Sequence, residues 1–211
     1  GGSLGSAVFA ALLAEQRAAR GAFRCDREGG GIDGETLQAQ AQAILGEDFL
    51  SPVMAAALYP DLTQRVLPFA VPSFDRARAL EQAWERAWRR HVPGSNRFAE
   101  PLDRLWQERN TVWMPALFLN ATWVETGKRL IVSNLRLAPR DATDAEDFVD
   151  IEDAHRFFGE RALSLSSAVH LSARFTYVSP AGTLTRDNGK VYGHAVDGGY
   201  FENSGATTTL E

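Results

Sequence analysis

The chain has 211 residues, a length that suits one domain with a sizeable hydrophobic core. It carries 22 Lys and Arg against 27 Asp and Glu, and the resulting net charge of −5 works against non-specific binding to nucleic-acid phosphates. The single cysteine excludes an internal disulfide framework and a cysteine-rich zinc site, and the sequence has no apolar run long enough to span a bilayer.

The first five residues, Gly-Gly-Ser-Leu-Gly, fit the G-x-S-x-G pattern of a sharp strand-to-helix turn that exposes a serine hydroxyl. Gly1 and Gly5 leave room for a bend that a Cβ would obstruct, which makes Ser3 a candidate nucleophile. Residues 6–20 are rich in Ala, Leu, Glu, Gln and Arg and predict the helix that follows. Such turns also cap helices and bind phosphate. Because no strand precedes the serine, we expect a fragment of a longer protein.

A helical region is expected next. Residues 24–34 are polar and glycine-rich, and we interpret them as a flexible connector rather than as an oxyanion loop. Residues 35–46 and 48–59 predict short helices, and Pro60 should end the second one.

Residues 74–91 give the strongest helix pattern of the chain, with Ser73 as the expected N-cap and Asp75 in the first turn. Large apolar residues fall on one stripe, whereas Glu81 and Glu85 fall elsewhere. The pattern favours a helix packed on the core, and a lid that meets lipid is the alternative. The stripe consists of Ala77, Leu80, Trp84, Ala87 and Trp88.

The second half of the chain contains the strand patterns. Residues 116–124 predict a buried strand of a parallel or mixed sheet, and residues 129–135 predict a second strand that is antiparallel to it. The acidic residues 141–153 lack the spacing of a calcium loop and predict a solvated loop. Residues 163–174 read as a helix.

Residues 190–196 predict a further strand that ends at Asp197, Gly198 and Gly199. In open α/β sheets, functional residues collect just beyond the carboxyl ends of strands, and two glycines allow tight turning around a substrate. Asp197 is therefore a second candidate site residue, although an Asp-Gly-Gly turn is as often structural.

The serine pattern at one end and Asp197-Gly198-Gly199 at the other resemble the nucleophile elbow and the D-G-G motif of patatin-like phospholipases. Residues 172–175, 179–180 and 197–205 look like the segments that flank the aspartate of that family. The resemblance implies a three-layer α/β/α fold with a central, mostly parallel sheet. It makes residues 1–211 one catalytic domain, incomplete at the N-terminus, with a helical insertion at about 35–94.

The same resemblance implies lipid acyl hydrolysis by a Ser-Asp dyad, with Ser3 as nucleophile, Asp197 as base, and neither metal nor cofactor. The N–H of Leu4, directly after the serine, is the oxyanion donor that this sequence supplies. We expect a phospholipid or related lipid ester as substrate, no nucleic acid, and a location in the cytoplasm or at the periphery of a membrane. The sequence leaves the oligomeric state open.

Two alternatives remain open at this point. Asp187 and His194 follow Ser3 in the order of a Ser-His-Asp esterase, but His194 lies inside a predicted strand, where a lone histidine is usually a packed side chain. The chain could also be a non-catalytic scaffold of the same fold that binds a lipid or a protein partner.

Overall fold

A computed structural model gives the fold of the chain. It describes residues 2–20, 33–69, 71–107, 114–137, 151–155, 163–185, 189–202, 204–206 and 208. Within these ranges the protein is of the α/β class, with helices packed on a five-stranded mixed sheet. Of the connector predicted over residues 24–34, only the last two residues lie in the described part.

Helix α1, Gly2–Arg20, confirms the helix predicted after the serine motif. The alanine-rich and leucine-rich middle of α1 is buried, from Ala7 to Ala14, apart from Phe9. The side chain of Gln16 makes two hydrogen bonds, of 2.9 and 3.1 Å, to the backbone of Asp33. These bonds tie α1 to the start of the next helix.

Helix α2, Gly34–Leu45, begins at Asp33, whose carboxylate accepts a hydrogen bond of 3.0 Å from the N–H of Thr36. The helix ends at Gly46, as the sequence predicted. Its buried residues, Leu37 and Ile44, face the core.

Helix α3, Leu50–Ala56, runs directly into a π-helical turn, Ala57–Asp61, and then into a last turn, Leu62–Gln64. The prediction that Pro60 ends the helix is wrong, because Pro60 lies inside the π-helical turn. A proline is costly within an α-helix since its ring clashes with the carbonyl of the preceding turn, and the wider π-turn relieves this clash.

Helix α4, Arg76–His91, is capped by Asp75, whose carboxylate accepts a hydrogen bond of 2.8 Å from the N–H of Ala77. The prediction that Ser73 is the N-cap is wrong, since Ser73 lies in a separate short helical turn, Pro72–Phe74. All five residues of the apolar stripe are buried, which confirms the core helix. The lid alternative is not supported.

The sheet contains β1 Phe118–Trp123, β2 Arg129–Ser133, β3 Ile151–Asp153, β4 Gly182–Thr185 and β5 Val191–Asp197. The strand order is β3-β2-β1-β5-β4. Strands β1, β2 and β5 were predicted. Strand β4 was missed, and β3 replaces the end of the expected acidic loop, whose other residues lie outside the described part.

The expectation of a mostly parallel sheet is wrong. β1 is antiparallel to both β2 and β5, and β4 is antiparallel to β5, so that β2 and β3 form the one parallel pair described. Short connections explain the β1–β2 and β4–β5 pairs. A tight turn between β1 and β2 can only return the chain antiparallel, because a parallel pair needs a long crossover.

Helix α5, Leu165–Ser172, confirms the last predicted helix and is capped by Ser164. It lies against β1 and β5, and α1 and α4 pack on it. Buried residues of these elements form one hydrophobic cluster. No helix in the described ranges is both long and apolar enough to cross a membrane.

Candidate active site

A pocket of about 270 Å³ brings both ends of the chain together. Ser3, in the first turn of α1, and Asp197, the last residue of β5, both line this pocket. Its other walls come from β1, the end of α5 and the segment after β5. These walls are Gly2, Ser6, Phe118, Asn120, Ser172, Ala173, Gly198, Gly199, Glu202, Ser204 and Gly205.

The Ser3 hydroxyl is held by a short chain of hydrogen bonds. Its Oγ lies 2.8 Å from the Oγ of Ser172. Ser172 donates its proton to the backbone carbonyl of Asn120 in β1. Because a serine hydroxyl has one proton, Ser3 is the donor in the bond to Ser172. In this arrangement the proton of Ser3 points to Ser172 and not to Asp197.

The backbone of Asp197 is fixed on both sides. Its N–H donates to the carbonyl of Arg174 at 3.0 Å, and its carbonyl accepts from the Thr122 hydroxyl at 3.0 Å. Asp197 is paired with Ala121 of β1, and residues paired across an antiparallel ladder point to the same face of the sheet. The carboxylate therefore lies on the face that carries the buried Ala121.

The two glycines after Asp197 act in different ways. The N–H of Gly199 donates to Oδ1 of Asp197 at 2.7 Å and so orients the carboxylate. A Cβ on Gly198 would lie 2.3 Å from the carbonyl oxygen of Asn120, so only glycine fits there without a shift of the backbone. Among the described residues, Ser3 and Asp197 share the pocket but make no direct hydrogen bond.

The first motif is described less completely. Gly1 lies outside the described residues. A Cβ added to Gly5 would meet no atom within 4 Å in the described part. Leu4 follows Ser3 in the first turn of α1, where N–H groups have no acceptor within the helix, and its side chain packs against the core.

Sequence reasoning missed a second carboxylate in the pocket. Glu202 lines it and accepts hydrogen bonds from the N–H and the hydroxyl of Ser204, the former at 2.8 Å. The hydrogen bond from the Ser204 hydroxyl lowers the pKa of Glu202 below its ordinary value. The walls of the pocket thus carry two carboxylates, Asp197 and Glu202. Glu202 lies within residues 197–205, the segment that resembles the region around the family's aspartate, but the sequence analysis assigned it no role.

The four histidines lie elsewhere. The side chain of His194 is 45% exposed and bonds to Glu125 at 2.7 Å, so the expectation of a packed side chain is wrong. His170 is buried against Glu81, and His91 and His155 bond to Glu47 and to the Ser133 carbonyl. Asp187, the acid of the triad alternative, lies outside the described residues.

A buried polar cluster was also missed, because the sequence pattern placed Glu81 and Glu85 outside the apolar stripe. Both are buried between α4 and α5. His170 Nδ1 lies 3.0 Å from Glu81, and the Ser166 hydroxyl donates to Glu85 at 2.8 Å. The sequence spacing does indicate that the two glutamates lie close to the core. Glu81 comes four residues after Ala77 and Glu85 one residue after Trp84, so both lie beside the buried stripe.

Charge and burial set the ionisation of this cluster. Burial would raise the pKa of Glu81, but hydrogen bonds from His170 and Arg78 outweigh it and hold the pKa below its ordinary value. Burial lowers the pKa of His170, against the opposing effect of Glu81. At neutral pH the pair is therefore an anionic Glu81 and a neutral His170 that donates through Nδ1.

A second pocket, of about 380 Å³, adjoins the first through a shared residue, Ser6. Apolar groups dominate its walls, which include Phe9 of α1 and Leu117, directly before β1. Within the described ranges, no group of three or more His, Cys, Asp or Glu side chains is arranged to hold a metal ion.

No family model, curated protein or solved structure matched this chain.

Proposed function

We propose that this chain is a serine lipid acyl hydrolase that uses Ser3 and Asp197 as a catalytic dyad. The observation that carries the proposal is the shared pocket, because the two motif residues come from opposite ends of the chain and meet on its walls. The adjoining apolar pocket supports a substrate with an acyl chain, since alkyl groups leave water for such a surface.

The chemistry follows from these groups. The Ser3 hydroxyl gives its proton to the Asp197 carboxylate while Oγ attacks the ester carbonyl. The N–H of Leu4 donates to the oxyanion that forms. Collapse of this intermediate breaks the bond to the alcohol, which takes the proton from Asp197. Water then attacks the acyl-enzyme, with Asp197 accepting its proton and returning it to Ser3 as the fatty acid leaves.

The dyad needs one local change of conformation. The Ser3 proton now points to Ser172, and a rotation of the serine side chain must bring it to Asp197. A carboxylate is a stronger acceptor than a hydroxyl, which favours this rotation once the two groups come within reach.

For the fold, we propose the three-layer α/β/α arrangement of patatin-like proteins, with residues 1–211 as one domain and a helical insertion at about 35–94. All five positions of β2 are buried, as expected for a strand that is covered on both faces. As part of the same proposal, the protein lies in the cytoplasm or at the periphery of a membrane.

A non-catalytic scaffold is the second candidate, and one observation favours it. The Ser3 hydroxyl bonds to Ser172 rather than to Asp197, an arrangement that suits a structural serine. A scaffold of this kind would bind phospholipid vesicles and cleave no ester.

Hydrolysis of aryl esters with short and long acyl chains tests the proposal. In the full-length protein, we expect Ser3→Ala and Asp197→Asn each to lower kcat by at least about a hundredfold, since each removes a group that reacts. Glu202→Gln is the matched control, because it removes the other carboxylate of the pocket and should keep most of the activity. Hydrolysis that survives Ser3→Ala would refute the dyad.

A further inference from the structure

A stripe of large apolar side chains lies exposed on the helical segment formed by α3, the π-helical turn and the last turn, and on the turn directly after it. Each member is half exposed or more, from 50% for Met54 to 79% for Val66. The members recur at every fourth position, and we call them the apolar stripe of residues 50–66. They are Leu50, Met54, Leu58, Leu62 and Val66.

The π-helical turn helps to keep this stripe on one side of the segment. In an α-helix every fourth residue drifts by about 40° around the axis. The wider turn over Ala57–Asp61 has more residues per turn and reverses part of the drift.

The opposite side of the segment is already buried. Val53 and Ala56 are buried, and α3 packs against α4. The segment is therefore apolar on both sides, and one of them faces water in this structure. A helix that is apolar all round is usually enclosed by protein or by lipid. Large exposed apolar patches mark interaction sites.

Few charges surround the stripe, and the cation within residues 49–69 is exposed. Residues 49–69 contain two charged residues, Asp61 and Arg65. Asp61 is paired with Arg76, whereas Arg65 is exposed. At the start of the segment, Glu47 is paired with Arg90 at 2.6 Å and with His91 at 2.8 Å.

The remaining acid near the stripe is also engaged. The carboxylate of Asp48 accepts the N–H groups of Leu50 and Ser51, both at 3.0 Å, at the start of α3. Two aromatic side chains flank the stripe, Tyr59 at 72% exposure and Phe69 at 62%. Aromatic residues beside an apolar helix face, with cations nearby, are typical of helices that lie in the membrane interface.

We propose that the apolar stripe of residues 50–66 docks on the surface of a phospholipid bilayer that contains anionic lipid. The stripe enters the boundary between head groups and acyl chains, and Arg65 contacts the lipid phosphates. This surface differs from α4, which the sequence offered as the lid. The docking is independent of the chemistry of Ser3, because none of these residues lines the pocket of Ser3.

Sedimentation of the full-length protein with vesicles of phosphatidylcholine and phosphatidylglycerol tests the proposal. The double variant Leu58→Gln, Leu62→Gln removes the middle of the stripe without opening the core, since both side chains are more than half exposed. We expect its partition into vesicles to fall by about tenfold or more. The matched control is Val124→Gln, Val191→Gln, which removes two equally exposed aliphatic side chains outside the stripe and should bind as the wild type does.

A site-specific probe gives a second measurement. A polarity-sensitive dye on Leu62→Cys, in a Cys25→Ser background, should shift to the blue when vesicles are added, whereas the same dye on Val124→Cys should not. Ser3→Ala should keep full vesicle binding, which separates this proposal from the proposed hydrolase. Unchanged binding of the double variant would overturn the proposal. So would a dimer in light scattering that the double variant dissociates while no form binds vesicles, since a second copy would then cover the stripe.

Discussion

The close contact between Gly198 and β1 fixes the position of the proposed base. The chain turns away from β5 directly after Asp197, and the Cα of Gly198 lies against the backbone of Asn120. The same Asn120 carbonyl accepts the proton of Ser172, which in turn holds Ser3. One backbone carbonyl of β1 therefore sets the positions of both motif residues.

Gly198→Ala tests this contact. The added Cβ would lie 2.3 Å from the Asn120 carbonyl oxygen, so the turn after Asp197 must move. We expect a loss of about 1–3 kcal/mol in the free energy of unfolding and a matching loss of ester hydrolysis. The measurement is thermal unfolding together with the aryl ester assay.

Gly34→Ala is the control for this substitution. Gly34 begins α2, and a Cβ there would meet no atom within 4 Å of the described residues. We expect it to unfold as the wild type does, or slightly later. Equal effects of the two substitutions would show that the contact with Asn120 has no special role.

The candidate site could be predicted only in part from the sequence. Ser3 and Asp197 belong to short motifs, which can be identified from neighbouring residues in the sequence alone. Ser172 and Asn120 stand in an ordinary helix and an ordinary strand, and only tertiary packing brings them to the serine. Glu202 was inside a quoted segment, but its contact with the pocket depends on how the chain turns after Gly199.

At the scale of elements, the interface between α4 and α5 carries two buried titratable side chains, Glu81 and His170, with an incomplete set of hydrogen bonds. His170 donates through Nδ1 to Glu81, and its Nε2 is buried with no partner among the described residues. The ring also lies edge-on to Trp84, with the centroids 5.5 Å apart. A proton added to Nε2 would thus be buried and unsatisfied, which costs free energy.

Stability should therefore depend on pH through this pair. The pKa of His170 is lower in the folded than in the unfolded chain, so its contribution is complete above about pH 6.5 and is lost as the pH falls. The pKa of Glu81 is also lowered by folding, so its contribution is lost at still lower pH. We expect the Tm to fall between pH 7 and pH 5.5, and His170→Asn to reduce this fall.

His194→Asn is the matched control for the pH measurement. His194 is also paired with a carboxylate, Glu125, but its side chain is 45% exposed. Its removal should leave the pH dependence of the Tm as in the wild type. A pH dependence that disappears in His194→Asn and persists in His170→Asn would contradict this account.

Elements with a strong local pattern were predicted well, because spacing and capping residues fix them within a few turns. Helices α1, α2, α4 and α5 and strands β1, β2 and β5 belong to this group. The prediction of mostly parallel strands was wrong because it was inferred from the resemblance and not from the short connections between strands. The burial of Glu81 and Glu85 was missed since their partners, Ser166 and His170, lie far along the chain.

At the scale of the whole molecule, the fold brings the two ends of the chain together on one pocket. The last residue of α5, Ser172, links Ser3 of α1 to the carbonyl of Asn120 in β1. The catalytic proposal depends on this arrangement more than on either motif. The apolar stripe of residues 50–66 belongs to a different surface, so membrane docking and catalysis can be tested separately.

Labelling with a fluorophosphonate, which reacts with activated serines, tests the central proposal most directly. With the full-length protein, we expect the label on the peptide that contains Ser3, no label in Ser3→Ala, and much slower labelling in Asp197→Asn. Ser6→Ala, which removes another serine of the same pocket, should label as the wild type does. Absence of label on the wild type, or a label that persists in Ser3→Ala, would contradict the Ser3–Asp197 dyad.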